Sequence, residues 1–360
     1  EIYKENTQNA SKRFAAEQKL EMAELFLNEE AFYFPHSLDF RGRIYCVAGN
    51  GTINPQADDS GKALLESAIG KRIGDSNAPF WMAIHTANVW GEDKLSLEGR
   101  VKWCEDNTSD ILSYAVAPLI NTGWMKADKP FGFLQACFEW EGLIQNGEDH
   151  VTHMHIALDG ACSGIQHFSA MLKDPEGAAS TNVIQTQETP RDVYSDVMNA
   201  VRAELETRND DLSIQWQTRL CREICKQPTM TTPYGVTDRG INDQIKNAIV
   251  KMVTKGKIEA FNDVSASEAA NYLTPIVASS IRDVVKGAGK AMDWLKHVAT
   301  ICNQAEQPMV WTTPIGFKVT QEYKKQKGKR LKLFYKGERI RVTLNTDTAS
   351  IDTKRSAAGA

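Results

Sequence analysis

The sequence has no long apolar segment and no closely paired cysteines. Its longest nearly apolar run, Pro130 to Phe138, is half of the roughly 18 residues that a membrane-spanning helix needs. Its seven cysteines are scattered, odd in number, and nowhere form a Cys-x-x-Cys pair. We therefore expect no membrane segment, no disulfide framework and no zinc site, and reduced thiols indicate a cytoplasmic location.

The composition is that of a soluble globular protein. The 360 residues are 42% hydrophobic and 24% charged, which suffices for roughly two to three domains of about 150 residues each. The net charge of −4 hides an asymmetry, because residues 318–341 hold ten basic and two acidic side chains. This distribution predicts a basic element on an acidic body. Since the chain starts at Glu1 and stops without a closing element, we expect a piece of a longer polypeptide.

Apolar periodicity predicts a helix-rich α+β fold. Helical spacing predicts a surface helix at 11–28, a short helix from 59 and a long helical region at 77–147. It also predicts a further helix at 192–208 and one long amphipathic helix at 281–295. From Pro308 onward the spacing becomes that of strands. A Lys336-Gly337 turn joins two of these, predicted at 331–335 and 339–344.

Asp159 is the first candidate functional residue. The apolar run 155–158 predicts a strand that ends at Asp159, before a helix that begins at Ser163. A carboxylate at that place can bind a hard cation, and the alternative is that it caps the following helix. Alternation would also place His153, His155 and Asp159 on one strand face, so a metal-dependent hydrolase site is a further alternative.

A cationic stripe is the second candidate. Arg219, Arg222 and Lys226 have the spacing i, i+3, i+7, which on one helix gives a stripe about 10 Å long that can hold a triphosphate. Tyr234 and Gly235 follow, and prolines before them break regular helix. The pattern predicts a nucleotide site, and the alternative is a solvated charged face.

Two further basic segments could contact phosphates. Arg41 and Arg43 are predicted on one face of an extended segment, with phosphate contact or pairing with nearby acids as the two interpretations. The basic ribbon at 318–341 has a width that suits a DNA major groove, and its arginines could read guanine edges. The alternative is an exposed hairpin whose lysines protect it from edge aggregation.

The segment Asp159-Gly-Ala-Cys-Ser-Gly-Ile-Gln-His-Phe-Ser-Ala-Met171 resembles a known motif. It is similar to the first catalytic-aspartate motif of the single-subunit, bacteriophage-type DNA-directed RNA polymerases, which include mitochondrial enzymes. Arg222-x-x-x-Lys226 with Tyr234-Gly235 resembles the fingers helix of that family, and 34–45 resembles its palm entry. The resemblance is colinear over nearly the whole chain.

The resemblance implies a right-hand polymerase architecture with a β-hairpin insertion. Residues 1–33 would be the end of a thumb-like helical element, 34–175 the palm and 176–310 the fingers. Residues 311–345 would be a promoter-specificity ribbon, and 346–360 a return towards the palm. The implied activity is DNA-templated RNA synthesis from ribonucleoside triphosphates, with two Mg²⁺ ions per active site. The implied partners are template and promoter DNA and nascent RNA.

Roles in catalysis follow from the same resemblance. Asp159 would bind the two Mg²⁺ ions, with the Gly160 carbonyl as a further ligand. Lys226 would contact the triphosphate and protonate the pyrophosphate leaving group, assisted by Arg222 and Lys102.

Roles in recognition are implied as well. Tyr234, beside Gly235, would select ribonucleotides over deoxyribonucleotides. Arg43 and Lys62 would hold the primer strand or the nucleotide. The basic ribbon would contact DNA through Arg330, Lys332, Arg339 and Arg341.

One departure from the family is substantial. The family has a second catalytic aspartate in a His-Asp pair, and this sequence contains no His-Asp dipeptide. We therefore expect this chain to be inactive alone and to need a C-terminal palm segment in cis or in trans. A catalytically incomplete DNA-binding fragment, or half of a split polymerase, is the alternative. A DNA polymerase of the related single-chain group shares the Arg-x-x-x-Lys and Tyr-Gly arrangement, but the residues after Asp159 argue against it.

Overall fold

The computed structural model describes residues 2–47, 53–74 and 76–352, and most of them lie in helices. In these ranges the strands form two-stranded antiparallel sheets, so the predicted helix-rich α+β class is confirmed. No helix in the described ranges has the length and apolar character needed to cross a membrane. The chain divides into two compact units, residues 1–159 with 188–190, and residues 160–187 with 191–360.

The first unit is built around two helices, at residues 78–90 and 130–146. Its elements are α1 (Ile2–Phe26), β1 (His36–Leu38), β2 (Ile44–Cys46), α2 (Asp59–Ala63), β3 (Lys71–Arg72), α3 (Ala78–Trp90), α4 (Leu97–Asp106), α5 (Thr108–Val116), α6 (Pro130–Asn146) and β4 (Val151–Thr152). Pro130 stands at the first turn of α6, where a missing N–H is tolerated. Met82, Ile111 and Phe133 are fully buried in the core that these helices share.

The second unit contains a larger helical core and two β-hairpins, at residues 309–321 and 324–351. Its elements are α7 (Ser163–Leu172), α8 (Pro175–Ser180), α9 (Val193–Glu206), α10 (Asp211–Arg219), α11 (Arg222–Thr231), α12 (Asp238–Thr254), α13 (Ala266–Val284), α14 (Lys286–Gln304), β5 (Met309–Thr312), β6 (Lys318–Gln321), β7 (Lys324–Tyr335) and β8 (Glu338–Ile351). Trp216 is fully buried at its centre, and its indole N–H donates to the Ala269 carbonyl at 3.2 Å. A capping box at Ser265 and Glu268 begins α13.

Two predicted elements differ from the structure. The long helix predicted over 281–295 is interrupted at Val285, whose φ of −119° and ψ of 56° end α13. Val285 and Ala288 pack in a buried cluster with Cys162 and Tyr194, so tertiary packing overrides the continuous helical pattern. The strand predicted over 155–158 is absent from the described residues, where β4 covers only Val151–Thr152. Leu158 is 82% exposed.

The ribbon formed by β7 and β8 confirms the hairpin prediction. The strands pair antiparallel from Lys324 and Ile351 to Tyr335 and Glu338. Lys336 and Gly337 have φ of 51° and 83°, and positive values at both central residues are what a two-residue hairpin turn requires. The ribbon is longer than predicted at its base. Residues 353–360 of the predicted return towards the palm lie outside the described residues.

Candidate active site and nucleic-acid interface

The segment that contains Asp159 is an exposed loop before α7. Asp159 and Gly160 are exposed and lie in neither helix nor strand. Gln166 reaches back over this loop, since a Cβ at Gly160 would lie 2.7 Å from its Oε1. The amide of Gln166 donates to the Thr181 carbonyl at 2.7 Å. The residue that caps α7 is Cys162, at a φ of 96°, so the interpretation of Asp159 as the helix cap is wrong.

Helix α11 presents Lys226 to solvent. Ile224 and Cys225 are fully buried on its inner face, whereas Lys226 is exposed one turn after Arg222. Pro228 lies inside the helix, which removes one backbone donor at that point. Arg222 and Lys226 therefore share one helix, as the sequence predicts.

Arg219 does not belong to that stripe. It is the last residue of α10, and the chain is extended at Leu220 before α11 begins. Arg219 is 7% exposed, its Nη2 donates to the Ala260 carbonyl at 2.9 Å, and its guanidinium lies 5.2 Å from the centre of the Phe261 ring. The predicted three-residue stripe is wrong, because Arg219 is a buried structural residue.

Two residues hold Arg222: Asp192, just before α9, and Tyr194, in its first turn. Both carboxylate oxygens of Asp192 accept from the guanidinium of Arg222, Oδ1 from Nη2 at 3.0 Å and Oδ2 from Nε. The same guanidinium lies 5.1 Å from the centre of the Tyr194 ring. The hydrogen bond to Asp192 raises the pKa of Arg222. Burial raises the pKa of Tyr194, with a contribution from a hydrogen bond to Cys162, so the phenol stays protonated. Sequence reasoning missed Asp192 and Tyr194.

The turn that carries Tyr234 packs against the first turn of α7. Thr232–Tyr234 forms a short 3₁₀ turn, and Gly235 follows it with φ of 75°. A Cβ at Gly164 would lie 2.8 Å from the Pro233 Cβ and 3.8 Å from the Tyr234 Cζ. Tyr234 itself is 60% exposed. The structure therefore brings the helix after the Asp159 loop next to the predicted sugar-selecting tyrosine.

The candidates of the first unit lie on exposed surfaces. Arg43 is in the turn between β1 and β2, where Asp39 accepts the backbone N–H of Arg41 at 2.9 Å and that of Arg43 at 3.0 Å. The two arginines thus flank a turn glycine, and the prediction that they share one face of an extended segment is wrong. Lys62 in α2 and Lys102 in α4 are both exposed.

The histidines before Asp159 are engaged elsewhere. The His153 Nδ1 lies 2.6 Å from the Ser67 carbonyl, and the His155 Nε2 lies 3.0 Å from the Ser67 hydroxyl. Across the described ranges no group of three or more His, Cys, Asp or Glu side chains could hold a metal ion. The described residues therefore give the hydrolase alternative no support. For Mg²⁺, Asp159 and Gly160 offer oxygen donors of the right type, but these ranges alone do not complete a coordination shell.

The ribbon has one basic face. Residues that pair across an antiparallel ribbon share a face, and the pairs here are Lys332 with Arg341, Phe334 with Arg339 and Arg330 with Thr343. All four predicted DNA contacts, Arg330, Lys332, Arg339 and Arg341, therefore lie on this side, which we call the basic face. Like charges placed opposite each other destabilise a ribbon. The stability of the ribbon therefore does not explain why Lys332 lies opposite Arg341.

The opposite side of the ribbon is apolar towards its outer end, while Lys327 and Lys329 lie on it nearer the base. The pairs at the outer end are Leu331 with Val342, Leu333 with Ile340 and Tyr335 with Glu338. We call this side the apolar face. In the described part of the chain no carboxylate lies within salt-bridge distance of the four basic-face cations. Within the described residues, the four cations of the basic face therefore form no ion pair with a carboxylate.

Comparison with known proteins gives one consistent family. A model of DNA-dependent RNA polymerase matches residues 71–360. T7 RNA polymerase of Escherichia phage T7 is 34% identical over 99% of this chain and 45% of its own length. The mitochondrial DNA-directed RNA polymerase 1 of Nicotiana sylvestris is 35% identical over 90% of this chain and 33% of its own length. The chain thus spans less than half the length of these curated relatives.

Proposed function

The chain belongs to the family of phage-type, single-subunit DNA-dependent RNA polymerases, and on that premise we propose that it carries part of the active site for DNA-templated RNA synthesis. The observation that supports this most is the contact between α7 and the Tyr234 turn. It joins the helix after the Asp159 loop to the turn that follows α11, so two sequence motifs about seventy residues apart meet at one place. Template and promoter DNA, nascent RNA and ribonucleoside triphosphates are the proposed partners.

Asp159 and the Gly160 carbonyl are the proposed Mg²⁺ ligands of this chain. Two bound Mg²⁺ ions would activate the RNA 3′-hydroxyl and neutralise charge on the triphosphate. Asp159 is suited to that role because its loop is exposed and is backed by the hydrogen-bonded side chain of Gln166. Its carboxylate then fixes the place at which the 3′-hydroxyl reacts.

Lys226 is the proposed contact to the triphosphate and the proton donor to the pyrophosphate leaving group. Its ammonium is exposed, and the buried face of α11 fixes the helix beneath it. Arg222 assists from one turn earlier, with its orientation set by Asp192. Tyr234 is the proposed selector of the ribose, with Gly235 beside it. Lys102, with an exposed side chain, is proposed to assist Lys226 at the triphosphate, and the exposed Arg43 and Lys62 are proposed to hold the primer strand or the nucleotide.

A further palm segment, in cis or in trans, is proposed to complete this site. Ile156 and Leu158 are 37% and 82% exposed, although the short apolar run that contains them is typical of a strand. A partner strand at this run would pair with its backbone N–H and C=O groups and bring its own residues next to Asp159. A second carboxylate carried by that strand would supply the missing magnesium ligands.

The location proposed for this polymerase is the cytoplasm of the cell that expresses it. All seven cysteines are free thiols. Free thiols are typical of a reducing compartment.

The competing function is that of a DNA-binding fragment without catalysis. It is favoured by the lack of a three-ligand metal group in the described ranges. Both functions use the basic face of the ribbon, and they differ in whether Asp159 takes part in a reaction.

Asp159→Asn in the full-length polymerase separates the two. Because a metal-bound carboxylate contributes several kcal/mol to the transition state, we expect primer extension to fall about a thousandfold or more. DNA binding should stay near normal. The matched control is Asp110→Asn, which changes an exposed aspartate of α5. Extension that continues at the normal rate in Asp159→Asn contradicts the metal role and favours the DNA-binding alternative.

A further inference from the structure

An exposed aromatic ring stands among the cations of the basic face. Phe334 is 70% exposed and is the last residue of that face before the turn pair. Its cross-strand partner is Arg339, whose guanidinium carbon lies 5.2 Å from the ring centre. The next pair towards the base is Lys332 with Arg341. Phe334 is therefore an exposed apolar side chain at the outer end of the ribbon, on a face where its nearest neighbours are cations.

The stability of the ribbon does not account for this position. The ribbon has an apolar face on which an aromatic residue would join Leu333 and Ile340, and Tyr335 lies there. Phe334 points to the other side, where its neighbours are cations and its ring faces solvent. Aromatic rings that alternate with cations are typical of surfaces that bind single-stranded nucleic acid, because cations attract phosphates and rings stack on unpaired bases.

We propose that Phe334, oriented by Arg339, stacks on an unpaired DNA base at the junction where the duplex has opened. The inference rests on the proposed function and adds a substrate class to the ribbon. Arg330, Lys332 and Arg341 then lie along the duplex beside the junction. The docking partner is DNA because a two-stranded ribbon fits the wide major groove of B-form DNA, whereas the A-form groove of RNA is too narrow.

The length of the basic face agrees with this arrangement. Phe334 lies four residues beyond Arg330 on β7, a distance of about 13 Å at the usual strand rise. That distance corresponds to about four base steps along a DNA strand. The same face can therefore contact paired DNA with Arg330 and an opened base with Phe334.

The test measures binding of the 360-residue chain to two DNA molecules. One is a paired duplex of about 30 base pairs, and the other has the same sequence with about four central mismatched positions. The wild-type chain should bind the opened duplex about tenfold more tightly, the order of one stacked base. Phe334→Leu should remove this preference, and Phe334→Trp should keep it. Since residue 334 is exposed, neither change should disturb folding.

Tyr335→Leu is the matched control. Tyr335 is next to Phe334 in sequence and similarly exposed at 61%, but it lies on the apolar face. The preference for opened DNA should survive in Tyr335→Leu. In addition, 2-aminopurine at an opened position should lose fluorescence on binding to the wild type and keep it on binding to Phe334→Leu.

Three results would overturn the inference. The first is equal weakening of both duplexes by Phe334→Leu, and the second is an equal effect of Tyr335→Leu. The third is a loss of affinity for single-stranded RNA in Phe334→Leu with binding to opened DNA unchanged. DNA binding without any preference for the opened duplex would contradict this inference alone. A wild-type chain that binds neither duplex would contradict the DNA-binding part of the proposed function as well.

Discussion

His85 is a buried, uncharged histidine in α3. It is 5% exposed, and in the described part of the chain its Nδ1 is buried without a hydrogen-bond partner. Burial, together with the positive charge of Lys129, lowers its pKa from 6.5 to about 4. The imidazole is therefore neutral in the folded state at pH values where it is already protonated in the unfolded chain.

This difference makes stability depend on pH. The pKa of His85 is lower in the folded state than in the unfolded chain. The free energy of unfolding therefore has its highest value above pH 6.5 and falls as the pH drops towards 4. We expect a loss of about 3 kcal/mol for the first unit over that range. Denaturant unfolding at several pH values measures it. His85→Gln should flatten the dependence and His36→Gln, at an exposed position, should not. An unchanged slope in His85→Gln would contradict the assignment.

Tyr234→Phe tests the proposed selection of ribose. If the phenol group recognises the 2′-hydroxyl directly or through water, its removal should reduce the preference for ribonucleotides over deoxyribonucleotides about tenfold, the order of one hydrogen bond. The rate with ribonucleotides should change little. The measurement is kcat/KM for both sugars with the full-length polymerase. Tyr33→Phe, at a residue 91% exposed, is the control. Equal discrimination in Tyr234→Phe and wild type would rule out this role.

Some residues of the candidate site could be predicted from local sequence patterns, and others could not. The positions of Lys226 and Tyr234 could be predicted because local spacing and glycine chemistry determine them. Arg219 could not, since its helix ends at Leu220 without a glycine or proline to signal the break. The Asp192 partner of Arg222 is thirty residues away in sequence. A contact over that separation depends on how α9 and α11 pack, which no local pattern records.

Among the elements, the ribbon was the best predicted and the strand before Asp159 the worst. Period-two alternation and the turn at Lys336 and Gly337 together determine the register of β7 and β8, and hence both faces. The run 155–158 has a strand-like pattern too, but a strand exists only with a neighbour. In the described residues that neighbour is lacking, so the same pattern gives an extended, exposed segment.

The basic face should set the salt dependence of DNA binding. Each phosphate contact contributes nearly one to the slope of log K against log salt concentration. Arg330→Ala and Lys332→Ala should each weaken binding to a paired duplex and lower that slope by about one. Titrations at several salt concentrations measure both. Lys327→Ala is the control, since it removes a lysine of the same strand on the other side of the ribbon. A slope that stays constant in the first two variants would refute the contact.

Each of the two units has its own main hydrophobic core among the described residues, and the second unit also has a smaller cluster around Cys162 and Tyr194. The main core of the first unit is formed around Phe133, and that of the second unit around Trp216. The division after Asp159 follows from contacts distant in sequence. The predicted palm and fingers boundaries therefore stay predictions. Helix content and the colinear resemblance were enough to predict the α+β class and the family.

Separate cores predict separate unfolding transitions. Phe133→Ala should destabilise the first unit by about 3–5 kcal/mol, and Trp216→Ala should destabilise the second by a similar amount. In calorimetry each variant should lower the midpoint of one transition and leave the other in place. A single transition that moves in both variants would show that the chain unfolds cooperatively as a whole.

The close approach of Gly164 to Pro233 limits how this sequence can diverge. A methyl group at 164 would lie 2.8 Å from the Pro233 ring, so a larger residue there requires a smaller one at 233 or a displaced Tyr234. Substitutions at these two positions are therefore expected to be inherited as compensating pairs, and a recombinant that joins the two motifs from different lineages would inherit a mismatch at this contact.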